Sequence, residues 1–360
     1  MKISNANVIR LFASFATWGV WTYVPIFARL IGITDTGIAL TAAINSLVIF
    51  VSMYIFGRFA DIIGRRILII IGLLFSSISF LFYIHATDFT SFLIVRLLSG
   101  LSVSIYSSAL MAYAHDIGHK LGKFSSFDSL GGAMNILVAG LVAFYLDIIS
   151  VFVLSAVFVF IAFMLSLRLS RVRFEPIKVP LLPHHILKQN LAVYIPFFIR
   201  RSASYAVWVF WGLYLLQFTD NLFLIGVTSA INAMSQFVIM HTLTDKMKVS
   251  TLMTLGTLLS AVTFFIYGIA TEFWQILPTQ ILLGISWSFL YVGSIRWITD
   301  RTKEKATGVG LFNSFDNLSN LVGPLIALAL IPFGGYRLIM YAAAIIAFGS
   351  FVAFDILKPR

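Results

Sequence analysis

The sequence predicts an all-α integral membrane protein. It has twelve transmembrane helices in two six-helix bundles, with both termini in the cytoplasm. Three observations carry this reading: the composition, the spacing of the apolar runs and an internal repeat. Of 360 residues, 60% are hydrophobic and 11% charged, with a mean hydropathy of +0.97. A soluble chain carries about 25% charged residues, so a soluble fold is excluded. There are no cysteines, hence no disulfides and no thiolate metal sites. The net charge of +11 is explained by orientation in a membrane rather than by nucleic acid. The opening MKISNANVIRLF lacks a small-residue cleavage site and leads into a full-length span, so it does not read as a signal peptide.

A span needs about 20 mostly apolar residues. Runs of that kind fall near 5–28, 36–57, 67–86, 89–114, 124–146 and 148–168. A second set falls near 190–218, 222–241, 249–271, 273–298, 306–332 and 336–357. The longest polar stretch lies between the sets and carries Arg168, Arg171, Arg173, Lys178 and Lys188. This gives an N-terminal bundle over 1–170, a linker loop over 171–189 and a C-terminal bundle over 190–360. Basic residues gather in the loops after the even-numbered spans: Arg58, Arg65, Arg66, Lys120, Lys123, Lys246, Lys248, Arg301, Lys303 and Lys305. The opposite loops hold Arg29 and Arg337 and little else. Short loops rich in Lys and Arg stay inside, which places the linker and both termini in the cytoplasm.

The two sets repeat one another. TAAINS at 41–46 matches TSAINA at 228–233, and FSSFDSL at 124–130 matches FNSFDNL at 312–318. Trp18 and Trp21 have the spacing of Trp208 and Trp211, and Asp61 has a mate in Asp245. All four matches share one offset within a few residues. Such a parallel repeat is a transporter architecture, its halves related by a two-fold along the membrane normal, with the substrate site at the repeat interface near mid-membrane.

Asp128 and its mate Asp316 stand near the starts of their spans. A carboxylate at the centre of a spanning helix costs about 2.5–3.5 kcal/mol on insertion scales. Each therefore needs a partner or a proton, and Arg10, Arg200 and Arg201 lie at similar depth.

The loop GRFADIIGRR at 57–66 closely resembles the cytoplasmic loop signature of the major facilitator superfamily, in Gly57, Asp61, Gly64, Arg65 and Arg66. Phe59 and Ile62 replace the family's leucine and arginine. RLLSG, with Arg96 and Gly100, resembles the family's fourth-span arginine motif. In the fifth span Gly131 and Gly140 fit the antiporter motif, but Asn135 and Ile136 stand where Gly-Pro belongs. Gly-Pro appears instead at Gly323 and Pro324.

The resemblance implies several expectations. Independently of it, Gly57 and Gly64 are expected to permit a tight turn, and Arg65 and Arg66 to sit at the lipid headgroups. Asp61 docks near the cytoplasmic end of the eleventh span as a latch between halves, or the loop is basic simply for topology. Spans one and five pack as neighbours, as do seven and eleven, which implies the pairs Arg10–Asp128 and Arg200–Asp316. Those pairs are either proton-coupling groups or structural struts. Asn45 and Asn232 make interhelical hydrogen bonds or meet the ligand. Trp18, Trp21, Arg96, Tyr106, Trp208, Trp211, Trp287 and Tyr291 fall on the four spans that line the family's cavity.

No Walker loop is present, the six histidines show no ligand spacing and no covalent catalytic constellation appears, so no cofactor or metal is expected and the chain is not expected to be an enzyme. The expected function is secondary active transport of a small organic solute by alternating access, with protons as coupling ion and export as a direction. The alternatives are a facilitative uniporter for a sugar-like solute and a non-transporting membrane sensor. The expected setting is the cell membrane, multi-pass, as a monomer.

Overall fold

The computed structural model describes residues 4–171, 183–219 and 222–358. The linker arginine and lysine at 173 and 178 lie outside the described residues. Every regular element among the described residues is helical. In chain order these are α1 (Asn5–Leu30), α2 (Asp35–Ile63), α3 (Arg65–Leu81), α4 (Phe89–Asp116), α5 (Leu121–Tyr145) and α6 (Ile148–Ser166). Then come α7 (His184–Trp208), the short α8 (Trp211–Leu215), α9 (Leu222–Thr242), α10 (Val249–Ile269), α11 (Phe273–Arg301) and α12 (Lys305–Leu357). Nine of the helices among the described residues are long and apolar enough to cross a membrane. α7 carries Lys188, Arg200 and Arg201, which lowers its hydropathy.

The helix ends follow from local chemistry. Asp88 accepts a hydrogen bond from Ser91 N–H at 2.8 Å, and Asp147 from Ser150 N–H at 2.6 Å. Each carboxylate caps donors that a helix start leaves unpaired. These bonds hold both carboxyls below the usual carboxylate range. Gly64 closes α2 and opens α3 at φ 115°, a conformation that glycine adopts without a Cβ penalty. The 53 residues of α12 would run about 80 Å if straight. The backbone leaves helical geometry at Gly334 and Gly335, the latter at φ 60°, which divides it where the sequence predicts a boundary.

The chain forms two compact units. The first gathers Met1–Lys120, Phe127–Leu181 and Glu304–Ser314. The second gathers Leu121–Ser126, Leu182–Lys303 and Phe315–Arg360. Within the first, α1 packs along α6, α3 along α4 and α6, and α2 along α4. Within the second, α10 and α9 both pack along α11.

The internal repeat is visible inside each unit. A Cβ on Gly72 would lie 2.8 Å from the Tyr106 amide nitrogen; one on Gly256 would lie 2.6 Å from that of Leu290. Bare glycines thus let the paired helices touch backbone to backbone, as small residues do in membranes. Ser76 Oγ and Ser102 Oγ are 3.0 Å apart, and Ser260 Oγ and Ser286 Oγ 2.5 Å. These correspondences run at a constant offset of 184 positions.

Candidate transport site

The loop signature builds a buried anion site in the first unit. Asp61, in the last turn of α2, is 0% exposed. Its Oδ1 accepts from Ala306 N–H at 3.2 Å, and its Oδ2 from Thr307 N–H and Thr307 Oγ1, each at 2.7 Å. Those donors are the first amides of α12, where the helix dipole favours an anion. Arg65 Nη2 adds a bond at 3.2 Å to Asp61 Oδ1.

Two expectations change here. Arg65 does not sit at lipid headgroups; it is buried and bonded to Asp61, Asp116 and the Ala112 carbonyl. Arg66 is partly exposed and donates to the Leu167 carbonyl at 2.8 Å. Gly57 is not part of the turn. It lies inside α2, where a Cβ would strike the Ala306 carbonyl; Gly64 alone makes the turn. Lys305 Nζ completes the cluster at 3.0 Å from Asp116 Oδ1.

The second unit holds a counterpart that the sequence reading left out of the site. Asp245 accepts from Gly122 N–H and Lys123 N–H, both at 2.8 Å. These are the first amides of α5. Gly122 and Lys123 stand 184 positions before Ala306 and Thr307, the offset of Asp61 and Asp245. That common offset is the signal that could have found it.

Deeper along the helices, Arg10 Nη2 lies 3.1 Å from Asp128 Oδ1. The arginine side chain is 11% exposed and the aspartate 32%. Ser14 Oγ donates to the Asp128 carbonyl at 2.7 Å, which ties α1 to α5. A Cβ on Gly131 would strike the backbone of Leu11 and Phe15, so this glycine sets the close approach.

The expected Arg200–Asp316 pair does not form. Asp316 is bonded instead by Arg201 Nε, with Tyr205 hydroxyl at 3.4 Å. Arg201 Nη2 donates to Tyr205 hydroxyl at 2.6 Å. Successive residues on a helix point about 100° apart. Arg201 and Tyr205 therefore share the face turned to Asp316, while Arg200 and Ser204 share the next one. Arg200 Nε donates to Ser260 Oγ at 2.8 Å and Nη1 to Ser204 Oγ at 3.4 Å.

The aromatic residues divide by environment. Trp18 is 50% and Trp21 39% exposed. Tyr106 is buried, with Thr17 Oγ1 3.2 Å from its hydroxyl. Trp211 belongs to the core of the second unit, stacked on Tyr214 and tilted against Tyr267. Trp208 ends α7 and donates to Ser204 Oγ at 2.8 Å. Trp287 and Tyr291 are half-buried neighbours, ring centroids 5.2 Å apart.

Arg96 lies beside Tyr83, with a buried Nη1 that has no hydrogen-bond partner among the described residues. Asn45 Oδ1 is likewise buried without a partner, against Gly100. Asn232 donates to the Gln280 carbonyl at 3.3 Å and accepts from Gln236 at 2.6 Å. Among the described residues, the interhelical bond expected of both asparagines forms at Asn232 and not at Asn45.

Comparison with known proteins identifies the family. Quinolone resistance protein NorA of Staphylococcus aureus is 23% identical over 328 residues, which is 85% of this chain and 84% of that protein. Multidrug resistance protein MdtG of Salmonella schwarzengrund is 22% identical, over 95% of this chain and 91% of that one. The MFS-type transporter YybF of Bacillus subtilis is 26% identical over 41% of this chain and 38% of its own length. The crystal structure of the human organic anion transporter MFSD10 superposes with a TM-score of 0.77 over 97% of this chain and 98% of that one, at 14% identity; it bears on the fold alone. The family model for the Major Facilitator Superfamily matches residues 7–227 and 197–360, and the chain is a member of that superfamily of membrane transporters.

Proposed function

We propose that this transporter is a proton-driven exporter of small amphipathic organic molecules, working by alternating access. On this reading it has twelve spans in two six-helix bundles, 1–170 and 190–360, joined by 171–189, with both ends in the cytoplasm. It works as a monomer in the cell membrane. Relatives named for quinolone and multidrug resistance support the substrate class. So do the half-buried rings of Trp208, Trp287 and Tyr291, since such walls suit planar, amphipathic molecules.

The observation that carries the reading is the Arg10–Asp128 pair. It is an ion pair on spanning helices, held through one carboxylate oxygen at 3.1 Å, with the aspartate about a third exposed. An ionisable group inside a membrane helix is a functional candidate by default. When Asp128 takes a proton the charge attraction is lost, and Arg10 is released. Protonation then biases one conformation over another, as linkage requires.

The test uses proteoliposomes, an imposed pH gradient and a fluorescent quinolone. Wild-type protein should accumulate the drug against its gradient. Asp128→Asn should lose accumulation yet keep drug–drug counterflow. Full accumulation by Asp128→Asn would overturn proton coupling at this residue. Counterflow that ignores the pH gradient in the wild type would instead identify a uniporter, and no exchange at all a sensor.

A further inference from the structure

The internal repeat acts as a control for what this fold needs. The serine pairs Ser76–Ser102 and Ser260–Ser286 are common to both units. Three repeat-related positions of the first unit are apolar: Ile9, Ala13 and Val103, all buried. Aligning the ion-paired arginines Arg10 and Arg201, and the serine pairs, sets the corresponding residues of the second unit. They are Arg200, Ser204 and Trp287. A guanidinium, a hydroxyl and an indole thus replace three apolar side chains that suffice for packing elsewhere in the molecule.

Arg200 is 1% exposed. Its hydrogen bonds go to two neutral hydroxyls, and its Cζ lies 5.5 Å from the Trp287 ring centroid and 5.7 Å from that of Phe264. No described carboxylate lies within ion-pair distance of it. Arg201 takes the one carboxylate, Asp316, through Nε and the Tyr205 hydroxyl through Nη2. Its Nη1 has no partner among the described residues, and its Cζ stands 4.4 Å from the Trp287 centroid. Arg201 alone is ion-paired, so two guanidiniums beside one carboxylate leave a formal surplus of one positive charge. The Arg10–Asp128 pair, with Ile9 in place of the second arginine, carries no surplus.

Burying an uncompensated cation is costly, and packing does not require it here. A guanidinium edge with a spare donor matches one carboxylate oxygen. The neighbouring rings of Trp287 and Tyr291 match a planar aromatic body. We infer that the Arg200–Arg201–Asp316–Trp287 cluster binds the anionic group of an aromatic carboxylate substrate. Arg201 makes the contact and Arg200 supplies the balancing charge from behind. This rests on the transport reading for its physiological meaning, but binding is measured without transport.

The experiment is equilibrium dialysis of the purified full chain in nanodiscs against 1-naphthoate and against its neutral counterpart 1-naphthamide. Wild-type protein should bind naphthoate at least tenfold more tightly. Arg200→Ile, which installs the residue of the first unit, should erase that preference. Equal affinities in the wild type would overturn the proposal whether or not the variant folds. So would a preference that survives in a monodisperse Arg200→Ile protein. Counterflow of a cationic dye, run in parallel, separates the two readings. Dye exchange without a naphthoate preference overturns the anion site and leaves transport standing. A naphthoate preference without exchange of any solute supports the site and overturns transport.

Discussion

Asp61→Ala removes the acceptor for four donors at once: the amides of Ala306 and Thr307, the Thr307 hydroxyl and one arm of Arg65. Hydrogen bonds to a charged group contribute about 1.5–3 kcal/mol each. Truncating one partner of a buried ionic cluster typically costs about 3–5 kcal/mol. The lower half of that range applies, because Arg65 keeps Asp116. A loss of about 3–4 kcal/mol raises local opening by about two to three orders of magnitude, at 1.4 kcal/mol per tenfold. The assay is hydrogen exchange with mass-spectrometric readout of peptides that cover 305–308. Asp245→Ala serves as the comparison. It removes an acceptor from two backbone amides at a half-buried site, a loss of about 1 kcal/mol by analogy with a helix cap. Its effect at 121–124 should therefore be tens of times smaller. Unchanged exchange at 306 and 307 in Asp61→Ala would refute the reasoning, as would a larger effect from Asp245→Ala at its own helix start.

Other outcomes follow from packing and charge. Gly72→Ala and Gly256→Ala each push a methyl against a facing backbone nitrogen. Each should destabilise by about 1–3 kcal/mol, read as a lower Tm in detergent. Trp211→Ala should cost about 3–5 kcal/mol, since that ring is buried among Tyr214 and Tyr267; Trp18→Ala should leave Tm nearly unchanged. The Asp88 and Asp147 carboxyls are held below their ordinary range by capping bonds. Their contribution is present above the unfolded value of about 3.9 and is lost as pH falls through the lower folded value. Asp147→Asn, which caps without titrating, should flatten the acid side of a Tm-against-pH curve.

Much of this architecture is legible in the sequence because lipid imposes length and polarity on every span. The predicted run at 273–298 becomes Phe273–Arg301, and the predicted boundary between 332 and 336 falls on Gly334 and Gly335. What stays hidden is rotation. The Trp18/Trp21 and Trp208/Trp211 pairs set an offset that points to Arg200. Yet α7 ends at Trp208 and a new helix begins at Trp211, so the second pair straddles a break. One residue of slip is about 100° of turn, enough to move the ion pair to Arg201. The environment of Arg65 is hidden for a related reason. Its partner Asp116 comes from the end of α4, 51 positions away, and nothing local in the sequence announces it.

The starts of α5 and α12 differ by 184 positions, but FSSFDSL and FNSFDNL differ by 188. Four extra residues therefore lie between the start of α12 and Asp316. Four residues rotate a helix by about 400° and lengthen it by about 6 Å, so the carboxylate moves along its helix while keeping nearly the same face. Length variation in such a helix is quantised. An insertion of one near-whole turn preserves every facing contact beyond it, whereas one of two residues would swing Asp316 away from Arg201. Natural insertions and deletions ahead of this motif should come in threes, fours and sevens, and a designer who wishes to shift the ion pair in depth has only those steps to work with.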